Sequence, residues 1–277
     1  MLPQYFDIHA HLNLPAFDDD RIEALKRAEA HSVWSIQVGT NQKSSQGATM
    51  IASFIEDGVF ASIGVHPAES GDGRFSEHLF NELVKCSRVV AIGECGLDYS
   101  HFDGEKDIVA EKIRQKKLLE TQIDFAVAHN LPLMLHIRDS DKLLADAHHD
   151  TLAILRQKKE VEGSRLRGNV HFFSQTIDIA REYFNLDFSI SFTGVISFAR
   201  EYDEVIRLAP IDSIMSETDC PYATPVPYRG KRNEPIFVEE VVKKIAEIRG
   251  EDFETVRKAL VQNALRIFNI KPLKYRG

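Results

Sequence analysis

The chain has 277 residues, of which 43% are hydrophobic and 27% charged, and its formal net charge is −8 at pH 7. This length allows a large buried core, and a charged fraction without low-complexity stretches argues against a disordered protein. The negative balance argues against a broad basic surface that coats nucleic acid, but a nuclease stays possible because bound metal ions can supply positive charge at a phosphate. Three cysteines without C-x-x-C spacing favour neither a disulfide framework nor a structural zinc site.

The amino-terminal stretch from Met1 to Leu14 lacks a basic leader and carries two histidines where a signal peptide would be apolar. No apolar run approaches the roughly 20 residues that are needed to span a bilayer. We therefore expect a protein without membrane contact and with a cytoplasmic location. The sequence gives no indication of the oligomeric state.

Short apolar runs rich in β-forming residues alternate with helical patterns along the chain. The predicted strands are Tyr5–Leu12, Val33–Gly39, Val59–Val65, Val89–Cys95, Pro132–Ile137, Asn169–Phe173, Phe188–Phe192 and Ser213–Thr218. Helical segments between them include Asp19–His31, Glu105–Asn130 and Arg200–Leu208. This alternation predicts βαβ units and a parallel sheet, and eight units in about 250 residues favour a closed (β/α)8 barrel of the TIM type. An open doubly wound sheet is the alternative.

Two further helices are predicted after the eighth strand. Pro235 suits the first turn of a helix that continues over Ile236–Arg249, with Gly250 as its terminator. A second helix over Asp252–Phe268 follows. Because no Pro-, Gly- or Ser-rich linker interrupts the alternation, we expect one domain over residues 1–277, an α/β barrel with extra C-terminal helices.

The first predicted strand carries Asp7, His9 and His11 at alternate positions. Because side chains alternate along a strand, we expect these three residues to share one face, with the imidazoles inside the barrel. The apolar residues expected on the other face, beneath the helices, are Phe6, Ile8, Ala10 and Leu12. Two inward imidazoles could be hydrogen-bonded core residues or could give one metal ion two nitrogen ligands.

Chemically active side chains end four more of the predicted strands. They are Glu94, which lies close to two glycines, His136, His171 and Asp219. In a barrel the carboxyl ends of the strands form one face, so these four side chains should converge with the two histidines of the first strand. Four imidazoles and two carboxylates are too many for one tetrahedral ion and suit a pair of ions that share a carboxylate.

The ordered motifs resemble the TatD family of metal-dependent deoxyribonucleases, which belongs to the amidohydrolase-like barrel superfamily. The motifs, from Asp7 to Phe268, are D-I-H-A-H-L, G-V-H-P, I-G-E-C-G-L-D-Y, L-H-I-R-D, H-F-F-S, S-F-T-G, E-T-D-C-P-Y, R-N-E-P and N-A-L-R-I-F. The resemblance implies a (β/α)8 barrel and nuclease activity. It also implies a bridging Glu94, a first ion on His9, His11 and Asp219, and a second ion on His136 and His171.

Two residues near these strand ends are predicted to contact the substrate. His66 ends the third predicted strand facing inward, where a role beside the metal or toward substrate competes with that of a core histidine. Arg138, two residues beyond a predicted ligand on the same face, could hold a phosphate. The alternative for this arginine is an ion pair with Asp139 or Asp141.

Two further predicted substrate contacts, Arg229 and Arg232, lie in the loop after the eighth strand. A backbone phosphate of DNA would pass this loop, and arginine is a common partner of phosphate oxygens. The alternative interpretation is a solvated loop without a role in binding.

These features predict a hydrolase that cleaves DNA phosphodiester bonds with two divalent metal ions, as an exonuclease acting on single strands or DNA ends. Glu94 would hold both ions, and Asp219 would take the proton of the attacking water. Imidazole ligands permit Zn²⁺ or Mn²⁺, and the family resemblance favours Mg²⁺ or Mn²⁺ for turnover. The alternatives are a barrel enzyme acting on a small amide, lactone or phosphoester, and a metal-bound scaffold protein.

Overall fold

The computed structural model describes residues 2–55, 57–69, 74–100, 108–140 and 146–271. The strands within these ranges are β1 Tyr5–Ala10, β2 Val33–Val38, β3 Val59–Ile63, β4 Val89–Asp98, β5 Leu133–Arg138, β6 Gly168–Val170, β7 Phe188–Phe192 and β8 Ile214–Ser216. They form one eight-stranded sheet in which each strand pairs in parallel with the next one along the chain.

The sheet nearly closes on itself, because the chain after β8 returns beside β1. Ala10 and Cys220 form a parallel bridge, and the backbone N–H of Asp219 donates to the carbonyl of His9 at 2.8 Å. The backbone and hydroxyl of Thr218 donate to the Asp7 carboxylate at 2.8 and 2.6 Å. The predicted barrel is confirmed, and the open doubly wound sheet is ruled out.

Helices lie between consecutive strands and after the last one. They are α1 Arg21–Ala30, α2 Gln42–Phe54, α3 Glu77–Leu83, α4 Ile108–Ala128, α5 Ala147–Glu162, α6 Ile177–Phe184, α7 Asp203–Leu208, α8 Val238–Arg249 and α9 Phe253–Ile267. The two helices after β8 confirm the predicted C-terminal addition. Gly250 ends α8 with a φ of 65°, which glycine adopts without the strain that a Cβ would cause. Among the described residues, none of the helices combines the length and the hydropathy of a membrane-spanning segment.

Several strand boundaries differ from the prediction. β4 continues beyond Cys95 to Asp98, because Gly96 and Asp98 still pair with β5. Glycine and aspartate are depleted in strands, so the apolar pattern ended the predicted strand too early. β6 stops before the predicted end, since Phe172 has a φ of 46° and turns the chain out of the sheet.

Helix boundaries differ in a similar way. Of the predicted helix Glu105–Asn130, residues 105–107 lie outside the described residues, and α4 ends at Ala128. The helix predicted from Arg200 begins only at Asp203. The turn that contains Pro235 is a 3-10 helix, Pro235–Phe237, which leads into α8.

Three hydrophobic clusters stabilise the barrel, and two of them contain the apolar residues that were expected on one face of β1. The larger one packs helices against strands and includes Ala10 and Leu12. The second gathers side chains from β1 to β5, β8 and α9, including Phe6 and Ile8, and these strands together surround the barrel interior. The prediction that these four residues share one face is wrong. An irregularity in the pairing of β1 with β2, between Asp7 and Ala10, interrupts the alternation.

Candidate metal centre

The six predicted metal ligands meet at the carboxyl end of the barrel. They are His9, His11, Glu94, His136, His171 and Asp219. Four of them are buried, whereas His136 and Asp219 keep 18% and 13% of their side chains exposed. Solvent therefore reaches the cluster at these two positions.

Four ligand atoms on the β1 side of the cluster lie at mutual distances that suit one ion. The Nε2 atoms of His9 and His11 are 3.1 Å apart, and they lie 3.8 and 3.4 Å from Asp219 Oδ1. The same two nitrogens lie 3.5 and 3.8 Å from Glu94 Oε2. Atoms bound to a tetrahedral ion at about 2.1 Å would be about 3.4 Å apart. These four atoms could therefore hold one ion with small adjustments.

Glu94 presents its other oxygen to a second group of nitrogens. His136 Nδ1 and His171 Nε2 each lie 2.9 Å from Glu94 Oε1, and they are 3.2 Å from each other. His66 Nε2 lies 3.7 Å from the same oxygen. The carboxylate thus stands between two sets of imidazoles, which is the arrangement that a bridging ligand requires.

Glycines in β4 allow Glu94 to reach this position. Gly93 and Gly96 have φ values of 154° and 150°, which residues with a side chain rarely adopt. A Cβ at either position would overlap the backbone of β5 at Met134 or His136. β4 can therefore lie close enough to β5 for the carboxylate to meet His136.

Hydrogen bonds on the outer side of two rings fix which nitrogen faces the cluster. His11 Nδ1 lies 2.9 Å from the carbonyl of Val38, and because a carbonyl only accepts, Nδ1 is the protonated nitrogen. His136 Nε2 lies 3.1 Å from Asp98 Oδ2 and donates to it. In its neutral form each ring therefore directs an unprotonated nitrogen to the cluster, as a metal ligand must.

Glu217 is fully buried and lies behind the ring of His171. Its Oε1 accepts a hydrogen bond from the backbone of Phe172 at 2.6 Å, and its Oε2 accepts one from Ser191 at 2.9 Å. Oε1 also lies 3.6 Å from His171 Nδ1, the ring nitrogen opposite the one that faces Glu94. These contacts place Glu217 behind the ring of His171 and away from solvent.

Asp98 is a site residue that sequence reasoning missed. The predicted fourth strand stopped at Cys95, whereas β4 continues to Asp98 and brings its carboxylate to His136. A signal was present in the sequence. Residues four apart on a continuous strand share a face, so an aspartate four positions after Glu94 could have been placed on the same side.

His66 reaches the cluster through Nε2, yet its ring is poorly suited to bind an ion. The backbone N–H of Ala68 donates to His66 Nδ1 at 3.1 Å, so Nε2 carries the hydrogen when the ring is neutral. Burial, together with the neighbouring His136, lowers the pKa of His66 to about 4 and keeps the ring neutral. Its Nε2–H can therefore donate toward Glu94 or toward an oxygen of a substrate.

Both carboxylates of the cluster are held in the ionised form. Burial by itself raises the pKa of Glu94, but the charge of His171 and the hydrogen bonds of His136 and His171 lower it well below the usual value. Burial also raises the pKa of Asp219, while its hydrogen bond with His11 and nearby imidazole charges lower it. Two carboxylate anions among four imidazoles form a donor set that fits divalent cations.

Residues 6–269 match the protein family described as TatD related DNase. The chain belongs to this family. It is 37% identical to an uncharacterized metal-dependent hydrolase of Bacillus subtilis, YabD, over 96% of this chain and 99% of that protein. It is 31% identical to the 3'-5' ssDNA/RNA exonuclease TatD of a Rahnella species, over 95% of this chain and 97% of that protein.

A solved structure shows the same architecture as this TatD-family chain. The TatD homologue YjjV of Escherichia coli superimposes with a TM-score of 0.82 at 26% sequence identity, and the match covers 98% of this chain and 100% of that one. The resemblance drawn from the sequence motifs is confirmed. As a member of the TatD family, the protein is a metal-dependent hydrolase built on a (β/α)8 barrel.

Arg138 lies exposed at the carboxyl end of β5 in this TatD-family barrel. It forms no ion pair with another residue of the described ranges. Asp139 instead accepts hydrogen bonds from the backbone of Ala147 and His148 at 2.6 and 3.2 Å, and Asp141 lies outside the described residues. The phosphate contact of Arg138 stays a prediction.

The structure separates the two arginines of the loop after β8. The Arg229 guanidinium lies 3.7 Å from the centre of the Phe198 ring. Arg232 donates to both carboxylate oxygens of Asp20 at 2.7 and 2.6 Å and to Glu234 at 3.1 Å. These ion pairs indicate that Arg232 anchors the loop to the start of α1, whereas Arg229 faces solvent. The substrate roles of both arginines stay predictions.

Proposed function

We propose that this TatD-family hydrolase is an exonuclease that cleaves phosphodiester bonds at the ends of single-stranded DNA with two divalent metal ions. The proposal depends chiefly on Glu94, whose two oxygens face two separate groups of imidazole nitrogens. The Rahnella relative, named as a single-stranded DNA and RNA exonuclease, supports the same substrate class.

In this proposal each ion has its own set of ligands. The first ion would bind His9, His11, Asp219 and Glu94, and the second would bind His136, His171 and Glu94. Imidazole and carboxylate ligands suit Zn²⁺ and Mn²⁺, and Mg²⁺ or Mn²⁺ is the proposed metal for turnover. When bound, the ions would neutralise charge on the phosphate and lower the pKa of water.

Asp219 is the proposed general base. Its Oδ1 faces His9 and His11, which leaves Oδ2 to accept the proton of the attacking water. Asp219 keeps 13% of its side chain exposed, compared with 6% for Glu94, so water can reach it more readily. A carboxylate next to the reacting phosphate can take this proton during in-line attack.

Two further side chains would orient the phosphate. The Nε2–H of His66 points into the cluster beside Glu94 and would donate to a non-bridging phosphate oxygen. Arg138 lies two residues beyond His136 at the exposed end of β5 and would hold the next phosphate of the strand. Such contacts position the backbone and carry no base specificity.

One incubation series tests the proposal. Purified protein is mixed with end-labelled single-stranded DNA, duplex DNA and RNA of one sequence, and separately with small esters and lactones, each with and without a chelator. We expect chelator-sensitive shortening of the single strand from one end. Turnover of small esters without cleavage of any oligonucleotide would favour a small-molecule hydrolase. Lack of turnover of every substrate would favour a scaffold protein.

A further inference from the structure

A groove with aromatic walls lies next to Asp219 on the carboxyl face of the barrel. It has a volume of about 320 Å³ and runs between the loops that follow β7 and β8. Phe198 contributes from the first loop, and Pro221, Tyr222 and Arg229 contribute from the second. Sites for small ligands commonly measure about 300–1,000 Å³, so the groove suits one compact group.

The two aromatic rings of the groove are open to solvent. Phe198 is 44% exposed and Tyr222 is 58% exposed. In the part of the chain that the structure describes, the other aromatic ring of comparable exposure is Phe54, at the end of α2. Scattered single apolar residues on a surface are common, but two rings on one groove beside a proposed catalytic residue suggest a ligand.

Backbone hydrogen bonds hold the two loops in place. The N–H of Tyr222 donates to the carbonyl of Asp219 at 2.9 Å, and Asn233 donates to the carbonyl of Tyr222 at 2.5 Å. The N–H of Val226 donates to Ser197 Oγ at 2.9 Å and joins the second loop to the first. These bonds hold the backbone that carries both rings next to Asp219.

Arg229 gives the groove a positive charge. Its guanidinium stacks on the Phe198 ring, and it has no carboxylate partner among the residues in the described ranges. A planar cation and aromatic rings in one groove are the groups on which unpaired bases stack, and the cation also attracts the adjoining phosphate.

We propose that Phe198, Tyr222 and Arg229 form a stacking site for one unpaired nucleobase next to the scissile phosphate. This inference rests on the proposed function and deepens it. A base in a duplex is stacked and paired, and its removal costs free energy that a single strand does not require. The groove would therefore make the enzyme prefer single strands without reading their sequence.

The test compares Phe198→Ala, Tyr222→Ala and the double variant with Phe54→Ala as a matched control. Phe54 is 80% exposed, and it ends a helix that runs from the carboxyl face toward the opposite end of the barrel. Anisotropy of a labelled single-stranded oligonucleotide in chelator measures binding without turnover. We expect each groove variant to weaken binding roughly five- to 100-fold and the control to leave it unchanged.

A set of oligonucleotides, each with one abasic nucleotide, locates the stacked base. The parent protein should lose affinity at one position near the cleaved end, and the double variant should show no loss there. Circular dichroism must show that the variants are folded. If the variants bind as tightly as the parent, or still detect the missing base, the stacking site is wrong. In that case chelator-sensitive cleavage by the parent would still support the proposed function, whereas failure to cleave any oligonucleotide would overturn both.

Discussion

Asp98 holds the ring of His136 from outside the metal cluster: Oδ2 accepts a hydrogen bond from His136 Nε2 at 3.1 Å, and Nδ1 of the same ring faces Glu94 at 2.9 Å. The other oxygen of Asp98 accepts hydrogen bonds from the backbone and hydroxyl of Ser100 at 2.9 and 2.6 Å. Burial raises the pKa of the Asp98 carboxyl, but the hydrogen bond and charge of His136 lower it well below the usual range. Asp98 therefore determines both the orientation and the protonated nitrogen of this ring.

We predict that Asp98→Asn weakens metal binding about 10- to 100-fold, because it removes the charge that holds the proton on Nε2 of His136. Titration of metal-free protein against a competing chelator measures the affinity. Asp150→Asn is the matched control, since Asp150 pairs with Tyr99 and Lys116 outside the cluster. Equal affinities for the Asp98 variant and the parent would show that the carboxylate is not needed to orient the ring.

The two loop arginines should give opposite phenotypes. Arg232→Ala removes the pairs with Asp20 and Glu234, so we expect a melting temperature lower by about 3 °C. Arg229→Ala should instead raise KM for an oligonucleotide roughly threefold to tenfold. It should also lower the number of counterions released on binding, measured from the salt dependence, by about one. The reverse pattern would assign the phosphate contact to Arg232 and a structural role to Arg229.

The ligand cluster could be predicted because barrel topology brings together strand ends that are far apart in the sequence. His136 and His171 are far apart in the chain, but each lies at or just after the end of a parallel strand, and those ends meet on one face. Glu94 could be placed in the same way, since an apolar run and nearby glycines marked its strand.

Features that depend on pairing between distant segments could not be predicted. The alternation of β1 is interrupted between Asp7 and Ala10 by an irregularity in its pairing with β2, and its own sequence contains no sign of that irregularity. The partner of Arg232, which follows β8, is Asp20, which follows β1 and lies 212 positions earlier in the chain. Phe198 and Tyr222 line one groove because the loops after β7 and β8 lie side by side, joined by a hydrogen bond between Val226 and Ser197, so neither ring was distinguished in the sequence.

His148 should make the stability of the fold depend on pH. It is buried on α5 with Nδ1 3.0 Å from the hydroxyl of Tyr183, and burial lowers the pKa of His148 from 6.5 to about 4. The unfolded chain takes up a proton near pH 6.5, whereas the folded protein does so only near pH 4. His148 therefore makes its full contribution to the free energy of unfolding above pH 7. This contribution is lost as the pH falls toward 4, and about 2 kcal/mol of it is gone at pH 5.

His148→Gln should flatten the change in unfolding free energy between pH 7.5 and pH 5 by about 2 kcal/mol. Urea unfolding at the two pH values measures this change. His149→Gln is the matched control, because His149 is the exposed neighbour on the same helix. If the His148 variant keeps the pH dependence of the parent, the proton uptake belongs to other groups.

Replacement of His9 and His11 by alanine should remove one metal ion and leave the barrel folded. Both imidazoles are directed at the metal cluster, where their Nε2 atoms are 3.1 Å apart. Metal analysis of the purified double variant, with circular dichroism as a check of folding, measures the outcome. His31→Ala, at an exposed histidine that follows α1, should keep the metal content of the parent. Unchanged content in the double variant would contradict the ligand assignment.

Asp219 allows a test of the proposed mechanism itself. Asp219→Asn preserves the shape of the side chain but replaces the basic oxygen with an amide. Loss of a general base commonly costs 10²- to 10⁴-fold, so we expect kcat to fall by about that factor while the affinity for an oligonucleotide changes little. The backbone of Asp219 keeps its hydrogen bonds to His9 and Tyr222 in this variant, which should retain the local fold.

A fall in kcat could also follow from loss of the first ion, because Asp219 Oδ1 lies 3.4 Å from His11 Nε2 among the proposed ligands. Metal content must therefore be measured on the preparation used for kinetics. A slow enzyme that retains both ions would support Asp219 as the base, and a slow enzyme that lacks one would make it chiefly a ligand. Cleavage within about tenfold of the parent would place the base elsewhere. Glu217 is a poor substitute because it is fully buried and accepts hydrogen bonds with both oxygens, so His66 acting through a water would then be the group to replace next.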